Sequence, residues 1–170
     1  MRIAALLVVL GSMDAVASSA IAMDVPALTA ASSEVVRARV TSARAEWSGD
    51  HRRIVTHLSI DVLDTWKGHA TAQLTVLQPG GERDGLTQLV PGVATLAPGE
   101  EVVLFLARTG PYYRVVGLAQ GVYRVSSESS PRALPASVED LELVAPAGRT
   151  PGPRVPVALD RLRAQVEAAR

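Results

Sequence analysis

The chain has 170 residues, with 17 basic side chains balanced by 17 acidic ones and no cysteine. Neutral charge without a basic stripe excludes a phosphate-tracking nucleic-acid binder. The missing cysteines exclude disulfides, thiolate catalysis and cysteine metal sites.

Arg2 precedes an apolar run, Ile3–Leu10, and Ala20-Ile21-Ala22 has the small-x-small form of a signal peptidase site. This pattern predicts a signal peptide over residues 1–22. The apolar run is too short for a permanent membrane anchor, and no thiol is present to carry a lipid. The remainder, Met23–Arg170, fits one domain. It is long enough to bury roughly 70% of its unfolded surface without staples. An exported chain without cysteines points to a bacterial protein, secreted or periplasmic. Arginine outnumbers lysine sixteen to one, which reads as the codon usage of GC-rich DNA.

Pro26 in "VPALTAASS", 25–33, predicts a short helix. "EVVRARVTSARAEW", 34–47, predicts the first strand, with Val36, Ala38 and Val40 on one face. "SGDH", 48–51, is a turn. In 53–66, Ile54, Thr56, Leu58, Ile60 and Val62 alternate with His57, Ser59 and Asp61, which predicts a second long strand. Such a strand would span about 45 Å if flat, so it must coil. Leu63 breaks the alternation and predicts a bulge. Gly68 ends the strand, and "AQLTVLQ", 72–78, starts its hairpin partner.

"PGGERDG", 79–85, reads as a loop and "LTQLVPG", 86–92, as a short strand at best. "EVVLFLAR", 101–108, is apolar on both faces, as a central strand covered on two sides would be. Short antiparallel strands follow at 112–117 and 122–125. Residues 126–155 are rich in Pro, Ser and Ala and read as an extension: "VEDLELVAP", 138–146, as one weak turn or edge strand, and the remainder as a tether. Leu159, Leu162 and Val166 sit at helical spacing within 156–170 and predict a closing helix.

Chemistry-bearing motifs are sparse. His51, His57 and His69 have no compact ligand spacing, so no metal site is expected. "PGGE", 79–82, lacks the lysine and helix start of a phosphate loop and reads as a tight turn. No Gly-x-Ser-x-Gly elbow occurs, and Ser42, Ser48 and Ser59 have no base arranged beside them. Adjacent Glu100 and Glu101 point to opposite faces of a strand, so they form no acid–base pair. No catalytic residue and no cofactor is therefore expected. Two groups remain. Trp66, Lys67 and Gly68 read as a strand end, with contact to a ligand as the alternative. Tyr112, Arg114, Tyr123 and Arg124 alternate two residue types enriched at interfaces and form the candidate partner-binding surface.

"SSEVVRARVTS", 32–42, followed by "IDVLDTWKG", 60–68, resembles the opening of netrin-like domains, the group that includes the tissue inhibitors of metalloproteinases. "PGGE", "PGEEVVLFL" and "GLAQGVYRV" are similar to uncharacterised exported proteins of GC-rich bacteria. The first resemblance implies an OB-type barrel and a protein-binding role. It cannot carry over the zinc-chelating N-terminal cysteine, which this chain lacks.

The expectation is thus an all-β fold: a small antiparallel closed barrel, OB-like (TIMP-like), over residues 23–125. Short N-terminal and C-terminal helices flank it, the latter at 156–170. The expected function is a non-catalytic binding module with a protein or peptide partner in the envelope or outside the cell. A hydrolase with dispersed catalytic residues and a glycan-binding module are the alternatives. The first would bring His57 to a serine hydroxyl; the second would expose a row of Trp47, Trp66 or tyrosines.

Overall fold

A computed structural model of the chain describes residues 18–148 and 152–170. The expected leader falls largely outside them; its last residues lie in and just after the first strand. In chain order the elements are β1 (Ser18–Ile21), α1 (Val25–Ala31), β2 (Glu34–Trp47), β3 (Ile54–Lys67) and β4 (Gln73–Pro79). There follow β5 (Gly81–Arg83), β6 (Leu86–Gln88), β7 (Glu101–Thr109), β8 (Tyr112–Val115), a 3₁₀ turn at Leu118–Gly121 and β9 (Val122–Val125). The chain closes with β10 (Arg132–Pro135), β11 (Leu141–Val144), β12 (Val157–Ala158) and α2 (Leu159–Ala168).

The main sheet has eight strands in the order β12-β10-β9-β7-β2-β3-β4-β8, and β8 also pairs with β7. Its long β2–β3 hairpin carries the sharpest twist. Val62 pairs with Ala38 and Asp64 with Arg37, so Leu63 is the extra, exposed residue of a bulge. A second step places Trp66 between Lys67, opposite Val35, and Thr65, opposite Val36. That step turns the indole inward, where only 1% of the residue is exposed.

Two apolar layers share β7. Val102, Leu104 and Leu106 face one cluster with Val36, Val40, Leu58, Ile60 and Val76. Val103 and Phe105 face the other, against Leu28 of α1, Trp66, and Leu159, Leu162 and Val166 of α2. The alternation of a strand thus buries both faces of β7, one against the sheet and one against a helical layer.

That second layer corrects the expected fold class. The protein is mixed α/β, not a small all-β closed antiparallel barrel of OB or TIMP-like type. Two helices pack on the sheet. The sheet continues past β7 to an edge at β12, and it includes a parallel contact, Val76 with Tyr113. A separate parallel pair joins β1 to β11. The helical spacing in 156–170 was legible, but the area that α2 covers was not.

Within 126–148 the chain also departs from a tether: it contributes β10 and β11 and buries Ala133 and Leu141. At the other end, fully buried Gln120 holds the chain on both sides of Ala22. Its Oε1 accepts from Met23 N at 2.8 Å, and its Nε2 donates to Ile21 O at 3.0 Å. Among the described residues no helix is long and apolar enough to cross a membrane.

Candidate functional site

On β3 the residues facing the first core cluster are Ile60, Leu58 and Thr56; on β4 they are Leu74, Val76 and Gln78. These pair across the strands as Ile60–Leu74, Leu58–Val76 and Thr56–Gln78. Two aliphatic pairs are followed by a polar one. At that last pair the sheet opens into a cleft of about 700 Å³ between β3, β4 and the loop that follows β6.

The loop is held in place by its own sequence. Gln88 Oε1 accepts from Ile54 N at 2.7 Å. Ala94 and Leu96 bury their side chains in the core, and Gly92 O accepts from Ala119 N at 2.8 Å. Arg124 donates to Thr95 O at 2.7 Å and pairs with Glu100 at 3.5 Å. The result is an apolar wall of Val90, Val93, Ala94 and Leu96 facing Leu58. Leu89 stands at the mouth, 86% exposed. Glu139 and Asp140, both exposed, form the opposite rim.

The polar floor is asymmetric. Thr56 Oγ1 donates to Gly80 O at 2.7 Å, so its proton is committed. Gln78 is 7% exposed, and its Nε2 donates to Ala94 O at 3.3 Å. Among the described residues nothing donates to Gln78 Oε1, and neither Glu139 nor Asp140 has an ion-pair partner.

The residues singled out from sequence lie elsewhere and do not form one surface. Trp66 is core, with Nε1 donating to Asp64 at 3.1 Å. Lys67 Nζ donates to Thr29 O and Ser32 O at 2.6 and 2.7 Å, closing the end of α1. A side chain at Gly68, where φ is +85°, would run into Glu34 and the Ser33 carbonyl. Tyr112 is half-buried, its ring edge-on to His57 at 5.1 Å. Arg114 is exposed on β8. Tyr123 is 6% exposed and packs on Phe105 at 6.0 Å. Of these residues, only Arg124 braces the cleft.

Beneath Tyr123 lies a second polar feature. The Arg154 guanidinium sits 5.5 Å from the Tyr123 ring centre and donates to Gln120 O and Ala119 O at 2.9 and 3.3 Å. Its Nε is buried without a partner. Burial pushes the Tyr123 phenol above its ordinary value and pulls the Arg154 guanidinium below its own. Here the cation is met by carbonyl dipoles and a ring face, with no carboxylate.

The features that the alternatives require are not assembled. No hydrogen bond joins His57 to a serine among the described residues, where its ring contact is Tyr112. Trp66 is buried, while Trp47 donates to Asp84 at 2.8 Å and stacks on His51, so the two indoles share no face. No cluster of three metal-ligating side chains occurs among the described residues.

Sequence reasoning passed over Thr56, Gln78, Leu89, Glu139 and Asp140. The first two left a signal: polar residues in phase with the core, Thr56 between Ile54 and Leu58 on β3 and Gln78 after Val76 on β4.

No family model, curated protein or solved structure matches this chain. The resemblance to netrin-like domains and tissue inhibitors of metalloproteinases, and to exported proteins of GC-rich bacteria, is accordingly withdrawn. Its short motifs now read as a strand pair, a turn and a central strand.

Proposed function

We propose that the protein is an exported, non-catalytic binding module that grips a segment of a protein partner in the cleft beside Thr56 and Gln78. The leader pattern of Arg2, Ile3–Leu10 and Ala20–Ala22 supports export, to the periplasm or beyond. Support for binding rests on one observation: the core rows of β3 and β4 carry one polar pair, Thr56–Gln78, under an open cleft with apolar walls. A concave apolar site with a few placed polar groups suits a ligand that is mostly aliphatic and needs orienting. Its apolar wall running from Val90 to Leu96 and its exposed Leu89 favour a polypeptide segment over a small metabolite.

A photo-crosslinking amino acid placed at Leu89 tests this in the exporting cell, with exposed His69 at the other end of the β3–β4 pair as control. A polypeptide adduct at 89 and none at 69 is the expected result. No adduct at 89, or equal labelling at both positions, would remove the cleft from consideration.

A further inference from the structure

The polar groups of the cleft are unevenly used, and the imbalance carries chemical information. The donors on its floor are spent within the fold: the Thr56 hydroxyl on Gly80 O, and Gln78 Nε2 on Ala94 O. What remains open on the floor is an acceptor, Gln78 Oε1, on a side chain more than nine-tenths buried. That oxygen is not among the buried unpartnered atoms, so water reaches it in the free protein, and a donor on a ligand would take the water's place.

The rim repeats the same sign. Glu139 and Asp140 line the cleft without a cationic partner among the described residues. Elsewhere Arg37 and Arg39 pair with Glu101, Arg124 with Glu100, and Arg163 with Asp64. Between the acidic rim and the amide floor stand the apolar residues Leu58, Val90, Ala94 and Leu96. A long aliphatic stem ending in a donor-only cation matches all three zones.

Building on the reading of the cleft as a peptide groove, we infer that it selects a segment carrying a basic side chain. The stem lies along Leu58 and Ala94, and the ammonium or guanidinium donates to Gln78 Oε1 and the Glu139/Asp140 rim. A neutral aliphatic residue would fill the walls but leave the acceptors unmet. An acidic one would face two like charges.

The test uses the full chain and dye-labelled extended peptides, identical except for one central residue: lysine, norleucine or glutamate. Fluorescence anisotropy should find the lysine peptide bound about tenfold tighter than the norleucine peptide, and the glutamate peptide weakest. Glu139→Gln with Asp140→Asn should close the lysine–norleucine gap while leaving norleucine binding in place. Gln78→Leu should narrow the gap. Equal binding of lysine and norleucine peptides would overturn the basic-residue inference and leave the peptide groove standing. Spermidine binding as tightly as the lysine peptide would overturn the peptide as the source of the cation. If no peptide binds, and none shifts the amide resonances of Val90 and Ala94, both the inference and the groove fall.

Discussion

Lys67 Nζ lies 2.6 Å from the carbonyl oxygen of Thr29, across 38 residues of sequence, and 2.7 Å from that of Ser32. The chain's one lysine therefore serves the last turn of α1, whose carbonyls have no partner within the helix. It ties the N-terminal helix to the end of β3. Lys67→Met keeps the stem and removes the charge. It should cost about 2 kcal/mol of unfolding free energy, read by urea titration. A loss much below that would mean the carbonyls find water as readily as they find the ammonium.

The helical layer depends on Leu162, which is fully buried between β7, Trp66 and α1. Leu162→Ala should destabilise by about 3 kcal/mol through lost burial and a residual cavity. Arg163→Ala, one residue on, removes half-exposed ion pairs with Asp64 and Glu167. It should cost less than about 1 kcal/mol. Equal losses would mean that α2 is held by its charges and not by its apolar stripe.

Gly92 adopts φ +77°, and a side chain there would meet Leu141. Gly92→Ala should destabilise the fold for both reasons, by about 1–2 kcal/mol, and lower the melting temperature accordingly. Because Leu141 follows Glu139 and Asp140, it should also disturb the rim. Amide shifts at 139 and 140 in the variant would report that coupling.

Alkaline stability should follow the Tyr123 phenol. Burial holds its pKa above the ordinary tyrosine value, so the folded chain binds this proton more tightly than the unfolded chain. The stability it contributes is full below the unfolded value and is lost as pH rises through the folded one. Tyr123→Phe removes the ionisable group and keeps the ring beneath Arg154. Melting temperatures followed upward from about pH 8 should then fall less steeply in the variant above about pH 10.

Gln78→Leu separates the binding role from the folding role. Leucine continues the aliphatic row of Leu74 and Val76, and only the long bond to Ala94 O is lost. Stability should change by less than about 1 kcal/mol, whereas affinity for the lysine peptide should drop. A large stability loss with unchanged affinity would make Gln78 a structural residue.

Much of the local structure was legible because strand and helix periodicities are local. The first strand over 34–47, the bulge at Leu63, both buried faces of 102–107 and the spacing of Leu159, Leu162 and Val166 all followed from which side chains alternate. Some short strands were legible, at 86–88, 112–115 and 122–125, but β5 and β10 were not. β5 is a three-residue strand in a Gly-rich loop, and β10 lies in a stretch whose Pro and Ser content resembles a tether. Such strands are held by their partners more than by propensity.

The sequence by itself determined the periods, the turns and the absence of thiol chemistry, because those depend on neighbours a few residues away. Only the tertiary structure decided that the helices form a layer over Phe105 and Trp66 and that Lys67 closes a helix 38 residues upstream. It also brought Glu139 and Asp140 to the rim of a cleft floored by Thr56 and Gln78. Those pairings join residues far apart in the chain, and which distant surfaces meet is set by the packing of the whole core.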